Sequence, residues 1–430
     1  MKNCFISLIL IFVFTNMQAT SRNINPDKNG DPWIVTDFPT NTEQENVNII
    51  SLKTLLKENN FRLKRNLPYK VDNSKLPYFR SVFRQTHGSC SQAAGVAYTF
   101  TYEINRIRKT KANSYTTSYP THYTYNFLNN GEDTGSHFIS GWKIIKEHGC
   151  PNVQTYGGLS APLHHWMSGY EKYRAAMSNR IKDIYSIKIQ TANDIIVMKN
   201  WFINHLSDAE DGGIFCFAAG ISYATFSVLP PESEAATSMV VKKWSSLIDH
   251  AMTVVGYNDS LKFDFNNDGK FTNNIDLNND GVIDVRDWEM GGVKIVNSWG
   301  TNWGNSGTFY MMYKHLADNS AHGGIYDNEL SCITVLESYT PIITTKYSII
   351  HDSRARIRLS LGVSETDKNK PTFKKEVSFL NNYDGKISLA TEFAFDLTPL
   401  LSQKDVNKNL KYYLIAEEED NANKYSGSIL

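Results

Sequence analysis

Gln85-Thr86-His87-Gly88-Ser89-Cys90, running straight into Ser91-Gln92-Ala93-Ala94-Gly95-Val96-Ala97-Tyr98, is the stretch on which the fold turns. The Gly-Ser pair lets the backbone approach closely just before a cysteine. Beyond it, Ala93, Ala94, Val96, Tyr98, Phe100 and Ile104 predict a buried helix from Cys90 to Arg108. A thiol at the head of that helix feels the positive end of the helix dipole, which lowers its pKa and favours the thiolate. Taken alone, the pattern also suits a cysteine that is only a small buried hydrophobe.

Further along, Phe138, Trp142 and Ile145 repeat at helical spacing and stop at Gly149-Cys150-Pro151, and a third helix is predicted over about Asp194 to Leu206. The texture then changes to strands at Ile214 to Phe217, Ala251 to Tyr257, Val293 to Val296 and Thr308 to Met312. Helices first and antiparallel strands later indicate an α+β fold with two subdomains. From about Thr340 the pattern is pure alternation: Ile357, Leu359, Leu361 and Val363 share a face, as do Phe393, Phe395 and Leu397, then Tyr412 and Leu414. Turn signals such as Asp384-Gly385 separate these runs. This predicts a separate β-rich, sandwich-like module over 341–430, and a strand pattern running into Ile429-Leu430 is expected of a product truncated inside an element.

Two more motifs join the first. Asp249-His250-Ala251-Met252-Thr253-Val254-Val255-Gly256-Tyr257 puts a histidine at the head of an apolar strand, and Asn297-Ser298-Trp299-Gly300, with Trp303-Gly304, follows another. In this chain order the three resemble the papain-like cysteine peptidases, over roughly Leu67 to Tyr339. The resemblance implies a two-subdomain fold, helical on one side and antiparallel β on the other. It implies Cys90 as nucleophile, His250 as its base, Asn297 as the group orienting that base, Gln85 in the oxyanion hole and Trp299 as a shield over the His–Asn hydrogen bond. Protein or peptide substrates follow, with endopeptidase action as the default and a monomer as the expected state. All four expected site residues are present, which argues against an inactive relative serving as a binding module.

The chain departs from the family in places. The loop between Gln85 and Cys90 is one residue shorter, and the disulfide common there cannot form. Ser91 stands where a bulky aromatic usually follows the nucleophile. The glycine pair expected in the substrate cleft reads Gly135-Ser136. His87 reads as an exposed loop histidine, and the adjacent His164-His165 do not converge as metal ligands.

Between the His and Asn strands, Asp264-Phe265-Asn266-Asn267-Asp268-Gly269-Lys270-Phe271 repeats twelve residues later as Asp276-Leu277-Asn278-Asn279-Asp280-Gly281-Val282-Ile283-Asp284. Oxygen ligands at positions 1, 3 and 5, glycine at 6 and an apolar residue at 8 are what a calcium loop of the EF-hand or dockerin kind requires. The second loop continues to Asp287 at position 12. The first has Ile275 there and needs its last ligand from elsewhere, with Asp276 a candidate. Twelve residues leave no room for full helices, so 259–290 reads as a compact insertion ordered by structural Ca2+. Tandem loops and a β-rich tail would also suit a calcium-dependent adhesion or scaffold protein.

Composition fits a folded protein: 430 residues, 41% hydrophobic and 20% charged. Lys+Arg and Asp+Glu both number 44, so no net field draws in nucleic acid. The apolar run Phe5 to Phe14, ending near Met17-Gln18-Ala19, reads as a signal peptide over 1–19, too short to span a bilayer about 30 Å thick, which places the mature chain outside the cytoplasm. A leader over 20–65, with a short helical pattern near Ile49 to Leu56, ends at the basic pair Lys64-Arg65, ahead of a peptidase domain over 66–340. Cys4 leaves with the signal. With Cys90 reactive, Cys150, Cys216 and Cys332 allow at most one disulfide, so the core must supply most of the stability.

Overall fold

The computed structural model describes residues 48–207, 209–381, 383, 385, 387–401, 409–419 and 424–430. The signal peptide, most of the leader and Asp384 lie outside the described residues. The architecture is α+β: helices gather on one side, an eight-stranded sheet on the other, and a β sandwich follows at the C-terminal end.

The predicted central helix forms as one continuous rod, in three parts: Cys90–Gln92, a wider π-wound stretch Ala93–Phe100, and Thr101–Arg108. Its residues from Ala93 to Phe100 are all buried, because every face of the rod meets another element. Trp142, on the helix Phe138–His148, donates its indole N–H to the Gly95 carbonyl at 2.8 Å. That second helix stops at Gly149, whose φ of 82° favours glycine and whose added Cβ would sit 2.1 Å from the Ala176 carbonyl oxygen. The third helix, Ala192–Asn204, opens on a reciprocal cap in which Thr191 and Asp194 satisfy each other's backbone N–H groups.

Strands β1 (Ile49–Ser51), β2 (Lys70–Asp72), β3 (Ile181–Lys188), β4 (Phe215–Val228), β5 (Met239–Lys262), β6 (Met290–Val296), β7 (Thr308–Met312) and β8 (Glu329–Val335) form the main sheet. Its order is β1-β3-β8-β4-β5-β6-β7, with β2 added on β5. The end of the segment read as a leader is built into this sheet: β1 pairs parallel with β3, Ile49 opposite Ile184, and the following helix Leu52–Glu58 buries Leu52 and Leu55 in the core.

Strand β5 carries the irregularity that matters most. Ala219 of β4 faces His250, but the next residue, Gly220, faces Ser245, so residues 246–249 bulge out of the ladder. The Asp249 carboxylate closes the bulge by accepting from Ile221 N at 2.7 Å and Ser222 N at 3.2 Å. His250 thus re-enters the sheet in a fixed orientation.

Strands β9 (Thr344–His351), β10 (Ile357–Glu365), β11 (Phe373–Glu376), β12 (Leu389–Asp396), β13 (Leu410–Glu418) and β14 (Gly427–Ile429) make two three-stranded sheets, β11-β10-β13 and β12-β9-β14. Their apolar faces join the helical side in one continuous core. Phe127 packs edge-on to Phe379 at 4.6 Å, and Trp166 to Tyr383 at 5.1 Å. A buried ion pair seals the seam: Arg180 donates to Asp396 at 2.7 Å, the Tyr339 hydroxyl donates to the same carboxylate oxygen at 2.6 Å, and the guanidinium stacks on the Tyr339 ring. Among the described residues no helix is long and apolar enough to cross a membrane.

Candidate active site

Cys90 begins the central helix, where unsatisfied backbone N–H groups point outward and favour negative charge. The approach to it is tightly tied. Ser89 Oγ donates to the Thr86 carbonyl at 2.7 Å, and Gln85 N donates to the Ser298 carbonyl at 2.7 Å. His250 at the head of its apolar run and Asn297 at the end of β6 come to the same place from the sheet side, since β5 and β6 pair Thr253 with Val296. The two helix and sheet halves therefore meet along a line through Cys90 and His250.

His250 Nε2 and Asn297 Oδ1 lie 2.8 Å apart, which leaves Nδ1 as the nitrogen for the hydrogen bond with the Cys90 sulfur. The Trp299 ring lies against His250 at 4.7 Å between centroids. Cys90, His250 and Asn297 are 5%, 2% and 0% exposed, so charges here are poorly screened. Burial pushes the Cys90 thiol up, but the His250 charge and hydrogen bond, helped by the Ala251 backbone and the Ser91 hydroxyl, carry it below its ordinary value. Burial likewise pushes His250 down, and the Cys90 charge and hydrogen bond, then Asn297 and Asp249, carry it above its ordinary value. Opposite shifts on touching groups favour a thiolate–imidazolium pair.

Gln85 is tied to Ser298, the residue after Asn297, with its amide fixed at both ends. Ser298 Oγ donates to Gln85 Oε1 at 2.5 Å, and Gln85 Nε2 donates to the His87 carbonyl at 3.0 Å. This bond gives a reason for a hydroxyl side chain directly after Asn297. Gly135, at φ 79°, and Ser136 lie in the loop leading to the Phe138–His148 helix. Ser136 Oγ accepts from Gln92 Nε2 at 3.0 Å. Gln92 was not singled out by its sequence. It is fully buried, also donates to the His137 carbonyl at 3.0 Å and accepts from Thr124 Oγ1 at 2.8 Å, clamping the loop to the Cys90 helix. A polar residue at a site surrounded by Ala93, Ala94 and Gly95 was the available signal. Asp133, the other missed residue, has its carboxylate 3.5 Å from His87 Nδ1 and accepts from Gly88 N at 2.7 Å.

The other three described cysteines, Cys150, Cys216 and Cys332, are buried free thiols. Burial pushes Cys216 up to about 12 and Cys150 and Cys332 far above the ordinary thiol value, the opposite of Cys90.

The insertion between β5 and β6 folds as two copies of one turn. In each, the first aspartate accepts from the glycine five residues on, Asp264 from Gly269 N and Asp276 from Gly281 N, both at 2.9 Å. Asn266 Oδ1 accepts from Asp268 N at 3.0 Å and Asn278 Oδ1 from Asp280 N at 2.9 Å. Asp287 closes the second copy, accepting from Leu277 N and Asp284 N, both at 2.9 Å. Glu289 closes the first, accepting from Phe265 N at 2.8 Å and Thr272 N at 3.1 Å. Phe265 and Thr272 precede Leu277 and Asp284 by twelve residues each, so Glu289 does for the first loop what Asp287 does for the second. The twelve-residue period hid it, because Glu289 lies outside both repeats. Asp276 accepts through Oδ2 within its own loop, and its Oδ1 has no hydrogen-bond partner among the described residues. Arg286 reaches Asp280 and Asp284 at 2.6 Å each, and among the described residues no three His, Cys, Asp or Glu side chains gather as a metal-holding group.

No family model matches the chain, and no curated protein matches it. Among solved structures it is similar to xylellain, a cysteine protease from Xylella fastidiosa, at 16% identity and a TM-score of 0.43, over 73% of this chain and 100% of that one. It is also similar to digestive procathepsin L 3 of Tenebrio molitor larval midgut, at 14% identity and a TM-score of 0.41, over 66% and 79% of the two chains. A third likeness is to procathepsin B S9 from Trypanosoma congolense, at 12% identity and a TM-score of 0.43, over 71% and 87%.

Proposed function

We propose that this chain is a papain-like cysteine peptidase, working outside the cytoplasm, with Cys90 as nucleophile, His250 as general acid and base, Asn297 as its orienting group and Gln85 as an oxyanion donor. The observation that carries this is the buried His250 ring, hydrogen-bonded through Nε2 to Asn297 at 2.8 Å, beside a cysteine at the head of a helix whose thiol it pulls below the ordinary value while its own pKa is raised.

The thiolate attacks the carbonyl carbon of a peptide bond, and the carbonyl π electrons move to oxygen. Gln85 Nε2, with one N–H committed to His87 and a second to give, and the Cys90 backbone N–H receive that oxyanion. As the C–N bond breaks, the imidazolium passes its proton to the leaving amine. Water, deprotonated by the now neutral His250, then attacks the thioester carbonyl; the C–S bond breaks, the acid leaves, and the thiolate–imidazolium pair is restored. Endopeptidase action on protein or peptide substrates is the default for such a cleft, and no step needs a cofactor.

An irreversible epoxide reagent is expected to label Cys90, and Cys90→Ala to abolish hydrolysis of a mixed peptide library. A wild-type chain that takes no label and cleaves no peptide refutes the assignment.

The turn geometry supports a second proposal, that Ca2+ orders the insertion. The test of fit is Asp276, whose Oδ1 is buried without a hydrogen-bond partner at the mouth of the better loop. Asp276, Asn278, Asp280, Asp284 and Asp287 would hold the ion in the second loop, and Asp264, Asn266, Asp268 and Glu289 in the first. The ion's part would be structural, fixing the connection between the His250 and Asn297 strands.

A further inference from the structure

The loop that precedes the nucleophile is held from outside the residues that perform the chemistry. Asp133 Oδ1 accepts from Gly88 N at 2.7 Å and also from the Tyr125 hydroxyl. The residue before Gly88, His87, is held at φ 59°, a conformation that places its carbonyl oxygen on Gln85 Nε2 at 3.0 Å. A displacement of Gly88 is therefore a displacement of the oxyanion donor. Where the family uses a disulfide in this loop, this chain has a charge-assisted hydrogen bond from backbone to carboxylate.

Asp133 is itself part of a loop with two supports. On the inner side Asn129 is fully buried: its Oδ1 accepts from Gly131 N at 2.7 Å, its Nδ2 donates to the Leu163 carbonyl at 3.1 Å, and its carbonyl accepts from Thr134 Oγ1 at 3.1 Å. On the outer side the loop rests on the C-terminal module. A methyl group placed on Gly131 would lie 2.6 Å from Ile387 Cδ1 and 2.9 Å from the Tyr383 hydroxyl oxygen, and one placed on Gly385 would lie 2.1 Å from the Asn130 carbonyl oxygen. Backbone and side chain meet there at closest approach, which only glycine allows. The same loop continues into Gly135 and Ser136 and is clamped to the Cys90 helix by Gln92.

We propose that Asp133 is a positioning residue for the oxyanion hole and that the C-terminal β module supports it, through Tyr383, Gly385 and Ile387 pressing on residues 130–131. This rests on the peptidase assignment above. The module then belongs to the catalytic unit, and its path to the chemistry runs through Asp133, Gly88, His87 and Gln85 in turn. Misplacing a transition-state donor by about 1 Å can cost on the order of 10²-fold in rate.

Two assays on the full chain separate this role from simple stability. Peptide hydrolysis needs the oxyanion hole; alkylation of Cys90 by iodoacetamide needs only the thiolate and His250. Asp133→Ala is expected to lower kcat about 10- to 100-fold with the alkylation rate and melting temperature near wild type. Asp133→Asn, which keeps a carbonyl oxygen for Gly88 and Tyr125, is expected to recover most of that loss. Ile387→Ala, on the module, is expected to lower kcat in the same direction by a smaller factor. Unchanged kcat in Asp133→Ala overturns the proposal, as does a parallel loss of alkylation, which would mean collapse of the whole site. Unchanged kcat in Ile387→Ala and Gly131→Ala together overturns the module's part. If the wild type neither hydrolyses peptides nor alkylates at Cys90, the peptidase assignment itself has failed, a result distinct from all of these.

Discussion

Removing Asn297 should narrow the pH range of activity from both sides. Asn297 Oδ1 sits 2.8 Å from His250 Nε2 in a site where both residues are buried, and it favours the charged ring. Below the lower limb Cys90 is protonated; above the upper limb His250 has lost its proton. Asn297→Ala takes away an acceptor from the imidazolium, so burial, the largest influence on the ring, is opposed by less. The His250 pKa falls and the alkaline limb moves to lower pH. A less stable imidazolium also supports the thiolate less well, so the acid limb moves up. A hydrogen bond to a charged group contributes about 1.5–3 kcal/mol, and 1.36 kcal/mol corresponds to one pH unit. We expect the alkaline limb of kcat/KM to move down by about one pH unit, with the acid limb moving up by less. The limbs belong to the Cys90–His250 pair jointly. The measurement is kcat/KM of a fluorogenic peptide across the pH range, with wild type and variant in one buffer series. A bell that only loses height, with both limbs in place, would refute the argument that Asn297 stabilises the charged ring; so would an alkaline limb that rises.

Three further outcomes are expected. Asp396→Ala should destabilise the chain by about 3–5 kcal/mol in urea unfolding, the usual cost of leaving one member of a buried ion pair alone, because Arg180 and the Tyr339 hydroxyl both lose their acceptor; a change under ~1 kcal/mol would show that the seam is solvated. A native-state thiol titration should find one fast thiol, Cys90, since burial raises the other three described thiols while the His250 charge lowers this one; a second fast thiol would contradict that ordering. Calcium should raise the melting temperature and chelator reverse it, with Asp276→Ala blunting the response and Arg286→Ala strengthening it by freeing Asp280 and Asp284; a melting curve indifferent to calcium and chelator would end the calcium proposal.

Much of this was legible from local pattern. The Cys90 helix, the helix around Trp142 and the main strands follow from side-chain periodicity, which depends on neighbours three or four residues away, or two in a strand. Chain order and the residues flanking Cys90, His250 and Asn297 pointed to one site. What stayed hidden is contact between distant positions. Gly88 and Asp133 are 45 residues apart, and Arg180 and Asp396 are 216 apart, so no periodicity links them. Alternation in the C-terminal strands showed which face points inward, but not that it packs on Phe127 and Trp166. The bulge over residues 246–249 was invisible because the groups that close it, the N–H groups of Ile221 and Ser222 on β4, lie 28 and 27 residues from Asp249. Glu289 escaped because the repeat itself drew attention to position 12.

Strand β1 changes what cutting at Lys64-Arg65 would yield. A scission there leaves Ile49–Ser51 paired with β3 and the helix Leu52–Glu58 anchored by Leu52 and Leu55. Lys64 is itself held, its N–H and carbonyl both bonded to the Asn200 side chain. The product would be a nicked protein of two polypeptides that travel together, separable in denaturant but not by dilution, with the short piece completing the edge of the sheet that carries His250.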